Sequence, residues 1–348
     1  MRRLGIAVIV LIVIMSFNSV GPTVPSIQRL DKLSEYGFFK GNLKLLDPVE
    51  SVIPYTLNTP LFSNYAEKLR FVRLPVGGKA TFNDSVAFEF PEGTVLIKNF
   101  YFHTDFRNPA KGRRILETRL LVNLATGWEA WPYIWNDGQT EAYYDPAGET
   151  KAVTYTNHSG KKITTPYVVP NKNQCKGCHI RSQKMVPIGP SARQMNGDLD
   201  YKAGRKNQLI FWKENGLIQG LGGLDNVPKL AVWDDPSTGN LDKRARAYLD
   251  VNCAHCHSRS GPANTSGLFL DVLEKGASHL GVNKSPVAAG RGSGNLKFDI
   301  VPGSPQQSIL LFRMKTNDPA IAMPEIGREQ VHIEGVSLIE EWIRNNSF

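Results

Sequence analysis

The sequence predicts an α+β fold in which a β-rich antiparallel domain, either a sandwich or a partly open barrel, precedes a mainly helical domain. β-branched and aromatic runs broken by turn residues fill positions 69–154, whereas apolar residues at helical spacing flank a Gly-rich stretch in the last third. The length of 348 residues is enough for two domains with separate cores. We expect the β-rich domain at 30–236 and the helical domain at 237–348.

The first residues are typical of a secretory signal. Arg2 and Arg3 precede an apolar run from Leu4 to Met15, which is shorter than the roughly 20 residues needed to cross a bilayer. Residues 1–21 are therefore predicted to be a signal peptide, which places the mature protein in the periplasm or cell envelope. No clear small-residue cleavage site follows, so an uncleaved N-terminus that attaches the protein to the membrane stays open as an alternative.

Six strands are predicted in the β-rich domain. Turn residues separate them, and Asn136-Asp137-Gly138 indicates a hairpin between the last two. A short helix is expected around Leu61–Lys68. The predicted strands are Leu69–Leu74, Val86–Phe90, Thr94–Phe102, Arg114–Val122, Glu129–Trp135 and Thr140–Tyr144.

The composition excludes several classes of protein. With 41% hydrophobic residues, 21% charged residues and four cysteines, the chain is neither wholly disordered, collagen-like nor disulfide-dense. The net charge is +9, but Lys and Arg are scattered in pairs such as Lys161-Lys162 and form no long basic run. We therefore expect no nucleic-acid partner.

All four cysteines lie in two copies of the pattern C-x-x-C-H, which is the signature of covalent c-type haem attachment. Two thiols three residues apart can bond one edge of a porphyrin, and the adjacent imidazole can then reach the iron. We expect two covalently attached haem c groups, with iron ligands His179 and His257. The two motifs are Cys175-Lys176-Gly177-Cys178-His179 and Cys253-Ala254-His255-Cys256-His257.

Three other uses of these cysteines are disfavoured. A four-cysteine zinc site would have to join pairs 75 positions apart and would leave both adjacent histidines unexplained. A thioredoxin-type motif would follow a strand in a βαβ unit, which neither segment resembles. A disulfide within either motif would close a very small, strained loop.

The helical domain is expected to begin with a helix capped by Asn240, which carries the second motif at its C-terminal end. Helical spacing also predicts a C-terminal helix, with apolar positions Val336, Ile339, Trp342 and Ile343.

Between these helices Met323 stands 66 residues after His257. This order of elements resembles the class I cytochrome c domain. The resemblance implies that Met323 is the distal ligand of the second haem, with Met314 as the reserve candidate.

Several phrases along the chain resemble a bacterial family of exported dihaem c-type cytochromes. The resemblance covers nearly the whole mature chain and implies an exported dihaem protein, but it carries no substrate. The phrases are Leu33–Phe39, Pro54–Ser63, Glu117–Leu121, Asn173–His179, Pro187–Pro190, Asn252–His257 and Pro302–Pro305.

The distal ligand of the first haem stays open. Met195, 16 residues after His179, ranks first, followed by His158, an open or water-bound site, and His103. His255 lies between the two cysteines of its motif, so a surface or propionate-contacting role is expected for it. His279 and His332 are expected to be ordinary surface histidines.

Electron transfer between redox partner proteins in the periplasm or cell envelope is the favoured function. A dihaem peroxidase, or a haem oxidoreductase subunit, is the alternative if the first haem lacks a protein sixth ligand. A third possibility is a binding protein whose β-rich domain recognises a partner in the cell envelope.

Overall fold

The computed structural model describes residues 27–345, and the predicted signal peptide lies outside this range. The described residues form a mixed α+β structure with a β-rich N-terminal part, as predicted. The α-helices are α1 (Lys172–His179), α2 (Ala192–Met195), α3 (Gln208–Glu214), α4 (Leu241–Asn252), α5 (Ile309–Met314) and α6 (Ile333–Asn345).

Most strands of the described chain precede α1, and the last five alternate with α1, α2 and α3. They are β1 (Phe39–Lys40), β2 (Asp47–Pro48), β3 (Val52–Tyr55), β4 (Glu67–Arg73), β5 (Ala80–Thr81), β6 (Val95–His103), β7 (Arg113–Leu124), β8 (Gly127–Trp135), β9 (Ala142–Tyr144), β10 (Glu149–Thr156), β11 (Lys162–Val169), β12 (Ile180–Arg181), β13 (Lys184–Met185), β14 (Asp198–Tyr201), β15 (Gly204–Asn207) and β16 (Ile218–Gln219).

One six-stranded antiparallel sheet dominates the N-terminal part. Its order is β3-β4-β6-β7-β8-β9, so β3 and β9 are the edges and the sheet is open. The hairpin β10–β11 forms a separate two-stranded sheet with eight paired positions. Apolar residues of this hairpin, including Val153 and Tyr167, pack on Phe100 and Leu116 of the large sheet.

Two predicted elements are wrong. Leu61–Lys68 is not a helix, because Asn64 and Tyr65 both have positive φ angles and β4 begins at Glu67. Val86–Phe90 is not a strand, because single bridges join Glu89 to Thr81 and Ala87 to Ser191, and neither extends into a ladder. The other five predicted strands and the hairpin after Trp135 are confirmed within two residues.

The two faces of the large sheet have different environments because successive side chains of a strand point to opposite sides. Val95 and Ile97 of β6 belong to a core shared with the N-terminal residues Leu33 and Phe38. The opposite face, which includes Leu96, packs on the segments that carry α2 and α3. The first C-x-x-C-H motif also lies on this second side.

The C-terminal part is built on two packed helices, both predicted from the sequence. The Asn240 side chain accepts a hydrogen bond from the Lys243 amide at 2.9 Å and so caps α4. Gly335 of α6 faces the Tyr248 ring of α4, where an added Cβ would lie 2.4 Å from ring atoms. A side chain at 335 would therefore push α6 away from α4.

Buried polar contacts connect the N-terminal and C-terminal parts. The Phe62 amide donates to the Asn252 side chain at 2.9 Å. Arg193 forms an ion pair with Asp250 of α4 at 3.2 Å. Within residues 27–345 no helix is both long and apolar enough to span a membrane.

Candidate functional site

The first motif lies on the short helix α1. The Asn171 side chain accepts from the Gln174 amide at 2.8 Å, and the Gln174 side chain accepts from the Asn171 amide at 2.9 Å. This reciprocal capping box fixes the start of the helix. Cys175, Cys178 and His179 then lie at i, i+3 and i+4, so their side chains share one face.

The second motif follows α4 directly. Cys253 ends the helix, and its carbonyl accepts from the amides of Cys256 at 3.1 Å and His257 at 2.9 Å. Gly261 passes so close to the Cys256 carbonyl oxygen that an added Cβ would lie 2.3 Å from it. The motif is thus a tight turn rather than a further turn of regular helix.

Both terminal histidines of the motifs have their Nδ1 atoms engaged with neighbouring protein groups. His179 Nδ1 lies 2.8 Å from the Val186 carbonyl, and His257 Nδ1 lies 3.4 Å from the Ser266 hydroxyl and contacts the Leu268 main chain. Burial lowers the pKa of each imidazole to about 4, so both rings are neutral at pH 7. A neutral imidazole oriented through Nδ1 presents Nε2 as a metal ligand.

The two motifs, far apart in sequence, meet in space. The Cys178 side chain lies close to those of Cys256 and His255 and interacts with both. All four cysteines are free thiols. A cavity of about 660 Å³ is lined by Cys175, Cys178 and His179 of the first motif and by Cys253, His255 and His257 of the second. The structure therefore brings both predicted attachment sites to one cavity.

Met323 lines the same cavity as His257, and so does Met314 of α5. The Met323 amide donates to the Arg313 carbonyl at 3.1 Å. Arg328 holds the loop that carries Met323, because its guanidinium donates to the carbonyls of Met314 at 2.7 Å and Thr316 at 2.5 Å. The loop is thus anchored to the end of α5 on both sides of Met323.

The sheet wall of the cavity carries a row of three cations. In the sheet register, Arg70 of β4 lies directly opposite Lys98 of β6, and Lys98 lies directly opposite Arg119 of β7. All three side chains line the cavity. Arg119 is bound to the fully buried Glu117, whose carboxylate also accepts from the Tyr167 hydroxyl at 2.6 Å. Like charges side by side on a sheet are unfavourable unless an anion neutralises them.

Arg70 and Lys98 have no ion-pair partner in the described part of the chain. Arg70 is only 6% exposed, and its Nη2 atom also has no hydrogen-bond partner there. Burial, followed by repulsion from Arg70 and Arg119, holds the pKa of Lys98 well below its usual range. These groups could neutralise the propionates of a haem.

The donor set of the cavity fits haem c. Three free thiols line it, at Cys175, Cys178 and Cys253, and the fourth, at Cys256, lies beside Cys178. The lining also supplies two buried neutral imidazoles, the thioether of Met323 and two basic side chains without an ion-pair partner among the described residues. No cluster of three His, Cys, Asp or Glu side chains suited to a metal ion occurs within residues 27–345. A porphyrin supplies four ligands to its iron, so a haem needs no such cluster.

The ligands predicted for the first haem lie elsewhere. Met195 is fully buried in the core beside Trp212, and it does not line the cavity. His158 lies in the turn between β10 and β11 with its ring 5.2 Å from Phe106, and His103 packs on the same ring. Neither histidine lines the cavity. Their positions therefore do not support the order in which the sequence ranked them as distal ligands of the first haem.

His332, predicted to lie on the surface, and His255, predicted to have a surface or propionate-contacting role, are both buried. His332 is 8% exposed because its ring stacks on Phe62 at 4.1 Å, and its Nδ1 lies 3.0 Å from the Tyr248 hydroxyl. His255 is 6% exposed because the first motif covers it. His279 is 45% exposed beside Glu274.

Sequence reasoning also missed the cationic row. The only available signal was the occurrence of Arg70, Lys98 and Arg119 inside predicted strands, since their pairing depends on the sheet register. Comparison of the chain with family models, with curated proteins and with solved structures found no match.

Proposed function

We propose that this protein is an exported dihaem c-type cytochrome that passes electrons between redox partners in the periplasm or cell envelope. The observation that carries the proposal is the contact between Cys178 of one motif and Cys256 of the other, beside a cavity that both motifs line. Groups attached at these two cysteines would lie edge to edge. A haem supplies a one-electron centre, and two such centres in contact form a short relay.

The cysteines have the covalent role in this proposal. Each thiol would add across one vinyl double bond of a haem, forming a sulfur–carbon bond and transferring the thiol hydrogen to the other vinyl carbon. The addition needs no oxidant, and it requires reduced cysteines, the state in which all four occur.

The remaining residues hold and tune the two centres. His179 and His257 would serve as proximal ligands, since each is buried, neutral and oriented through Nδ1. Met323 would complete the second centre within a class I-like cytochrome c domain formed by α4, α5 and α6. A thioether ligand raises the reduction potential of a haem. Arg70 and Lys98 would stabilise the propionates.

The direct test is the haem content of the matured protein, measured by mass spectrometry and by haem absorbance after purification from a host that attaches haem c. We expect two covalent haems in the native chain. The variants C175A/C178A and C253A/C256A should each retain one, and each serves as the control for the other. A native chain without covalent haem would overturn the proposal.

A second test separates electron transfer from peroxidase chemistry. The oxidised dihaem protein should show two low-spin irons and should turn over peroxide no faster than free haem. A high-spin iron that binds cyanide and supports rapid peroxide reduction would instead assign the alternative function, with an open site at the first haem.

A further inference from the structure

His255 is a buried imidazole whose position its own motif does not explain. It is 6% exposed, it lines the cavity, and its Nδ1 atom has no hydrogen-bond partner among the described residues. Leaving a polar atom in the interior without a hydrogen-bond partner is energetically unfavourable. His255 thus lies at the cavity wall with part of its hydrogen-bonding capacity unused.

The second haem cannot be the partner of the His255 imidazole. His255 stands between Cys253 and Cys256, which would hold the chain along the porphyrin edge, and His257 would already occupy the proximal position. The His255 side chain instead contacts Cys178 of the first motif. Its ring interacts electrostatically with both proximal residues, His179 and His257. The contact with Cys178 is therefore what places His255 against the first site.

The other cavity-lining imidazoles and thioethers already have assigned positions. His332 is bonded to Tyr248 and stacked on Phe62. Met314 is part of the C-terminal core with α4 and α6, and Met323 is on the loop that Arg328 anchors to α5. Both methionines thus belong to the same part of the chain as His257.

We infer that His255 is the distal iron ligand of the first haem, an inference that rests on the function proposed above. The segment Cys253–His257 would then attach the second haem and complete the coordination of the first. The first iron would have two imidazole ligands, and the second would have His257 and Met323. Because the thioether raises the potential, electrons would pass downhill from the first haem to the second.

The test uses low-temperature EPR and potentiometry of the oxidised dihaem protein. In H255A we expect one of the two low-spin signals to be replaced by a high-spin signal, and added imidazole should restore it. In H255M both irons should stay low-spin while the potential of the first haem rises. H332F and H279A are matched controls, one buried at the cavity and one exposed, and both should keep the native spectrum.

The outcomes distinguish this inference from the proposed function. Two low-spin signals that persist in H255A, with two haems per chain, would overturn the ligand assignment and leave the dihaem cytochrome intact. If H255A does not mature, an unchanged potential of the first haem in H255M would overturn the assignment equally. A native chain without two covalent haems would overturn both.

Discussion

The two C-x-x-C-H motifs have the same sequence pattern but lie in very different surroundings. The first is on α1, an eight-residue helix between a hairpin and short strands, opposite a sheet wall lined with cations. The second follows the twelve-residue α4, which is packed on α6, and has Met323 in its own part of the chain. Within residues 27–236, no methionine lines the cavity. The same motif is thus placed in two settings that offer different groups to a ligand bound there.

If His255 of the C-terminal part completes the first site, the interface between the N-terminal and C-terminal parts must remain intact. Asp250 of α4 is 5% exposed on its side chain and pairs with Arg193 of the N-terminal part. Removing one partner of a buried ion pair leaves an unpaired charge, so D250A should lower the free energy of unfolding by about 3–5 kcal/mol. Urea unfolding of the dihaem protein measures this. D137A, which breaks the exposed pair with Arg114, is the control and should cost ~1 kcal/mol or less.

The second site should be more sensitive to acid through His332. Burial lowers the pKa of His332 to about 4, from 6.5 in the unfolded chain. Between these values the unfolded chain binds the proton first, so stability is lost as the pH falls from 6.5 to 4, by roughly 3 kcal/mol. H332F should lack this part of the pH dependence. Parallel urea unfolding of both proteins at pH 7 and pH 4.5 tests it, and equal losses would contradict the expectation.

The cationic row should tune the first haem more than the second. Nearby positive charges favour the reduced form of a haem, so R70Q/K98Q should lower the reduction potential of the nearer haem. The free energy of its reduction should become less favourable by about 1–2 kcal/mol per charge removed, at an effective dielectric constant near 20. Redox titration followed by absorbance measures both potentials. K161Q/K162Q, at the exposed end of the turn and at the first residue of β11, is the charge-matched control. Equal shifts at both haems would remove the proposed difference between the sites.

The helices that carry the motifs should also respond differently to loss of their caps. N240A should lower the free energy of unfolding by ~1 kcal/mol, because α4 is part of the C-terminal core. N171A should fray only α1, which is short and has one buried side chain. Amide hydrogen exchange separates global from local loss. N108A, at a turn where the side chain makes no cap bond, should change neither.

Sequence patterns correctly predicted the elements that depend on local interactions or on a periodic arrangement of apolar residues. Five of the six strands of the large sheet, the Asn240 cap and the apolar face of α6 agree with the structure, whereas β3 was not predicted. The helix expected at Leu61–Lys68 failed because tertiary contacts decide this segment. The buried Asn64 accepts hydrogen bonds from the amides of Glu329 at 2.8 Å and Gln330 at 3.1 Å. No local pattern encodes a partner 265 residues away.

The candidate site shows the same division. The four cysteines, His179 and His257 were predicted from the spacing of the two motifs, and Met323 from the resemblance to the class I cytochrome c domain. The structure brings all seven residues to one cavity or its edge. Met195 was ranked by its distance along the chain from His179, but its side chain fills the core beside Trp212. The role of His255 was predicted only from its position between the two cysteines of its own motif. Its position beside Cys178 depends on how two distant segments pack.

The most direct test of the account is an EPR-monitored redox titration of the oxidised dihaem protein. We predict two low-spin signals, the first haem becoming reduced at a lower potential than the second, and a change in each signal when the other iron changes state, because Cys178 and Cys256 are in contact. Two signals that titrate independently, or one high-spin iron that binds cyanide, would contradict the account of a closely coupled, fully ligated relay.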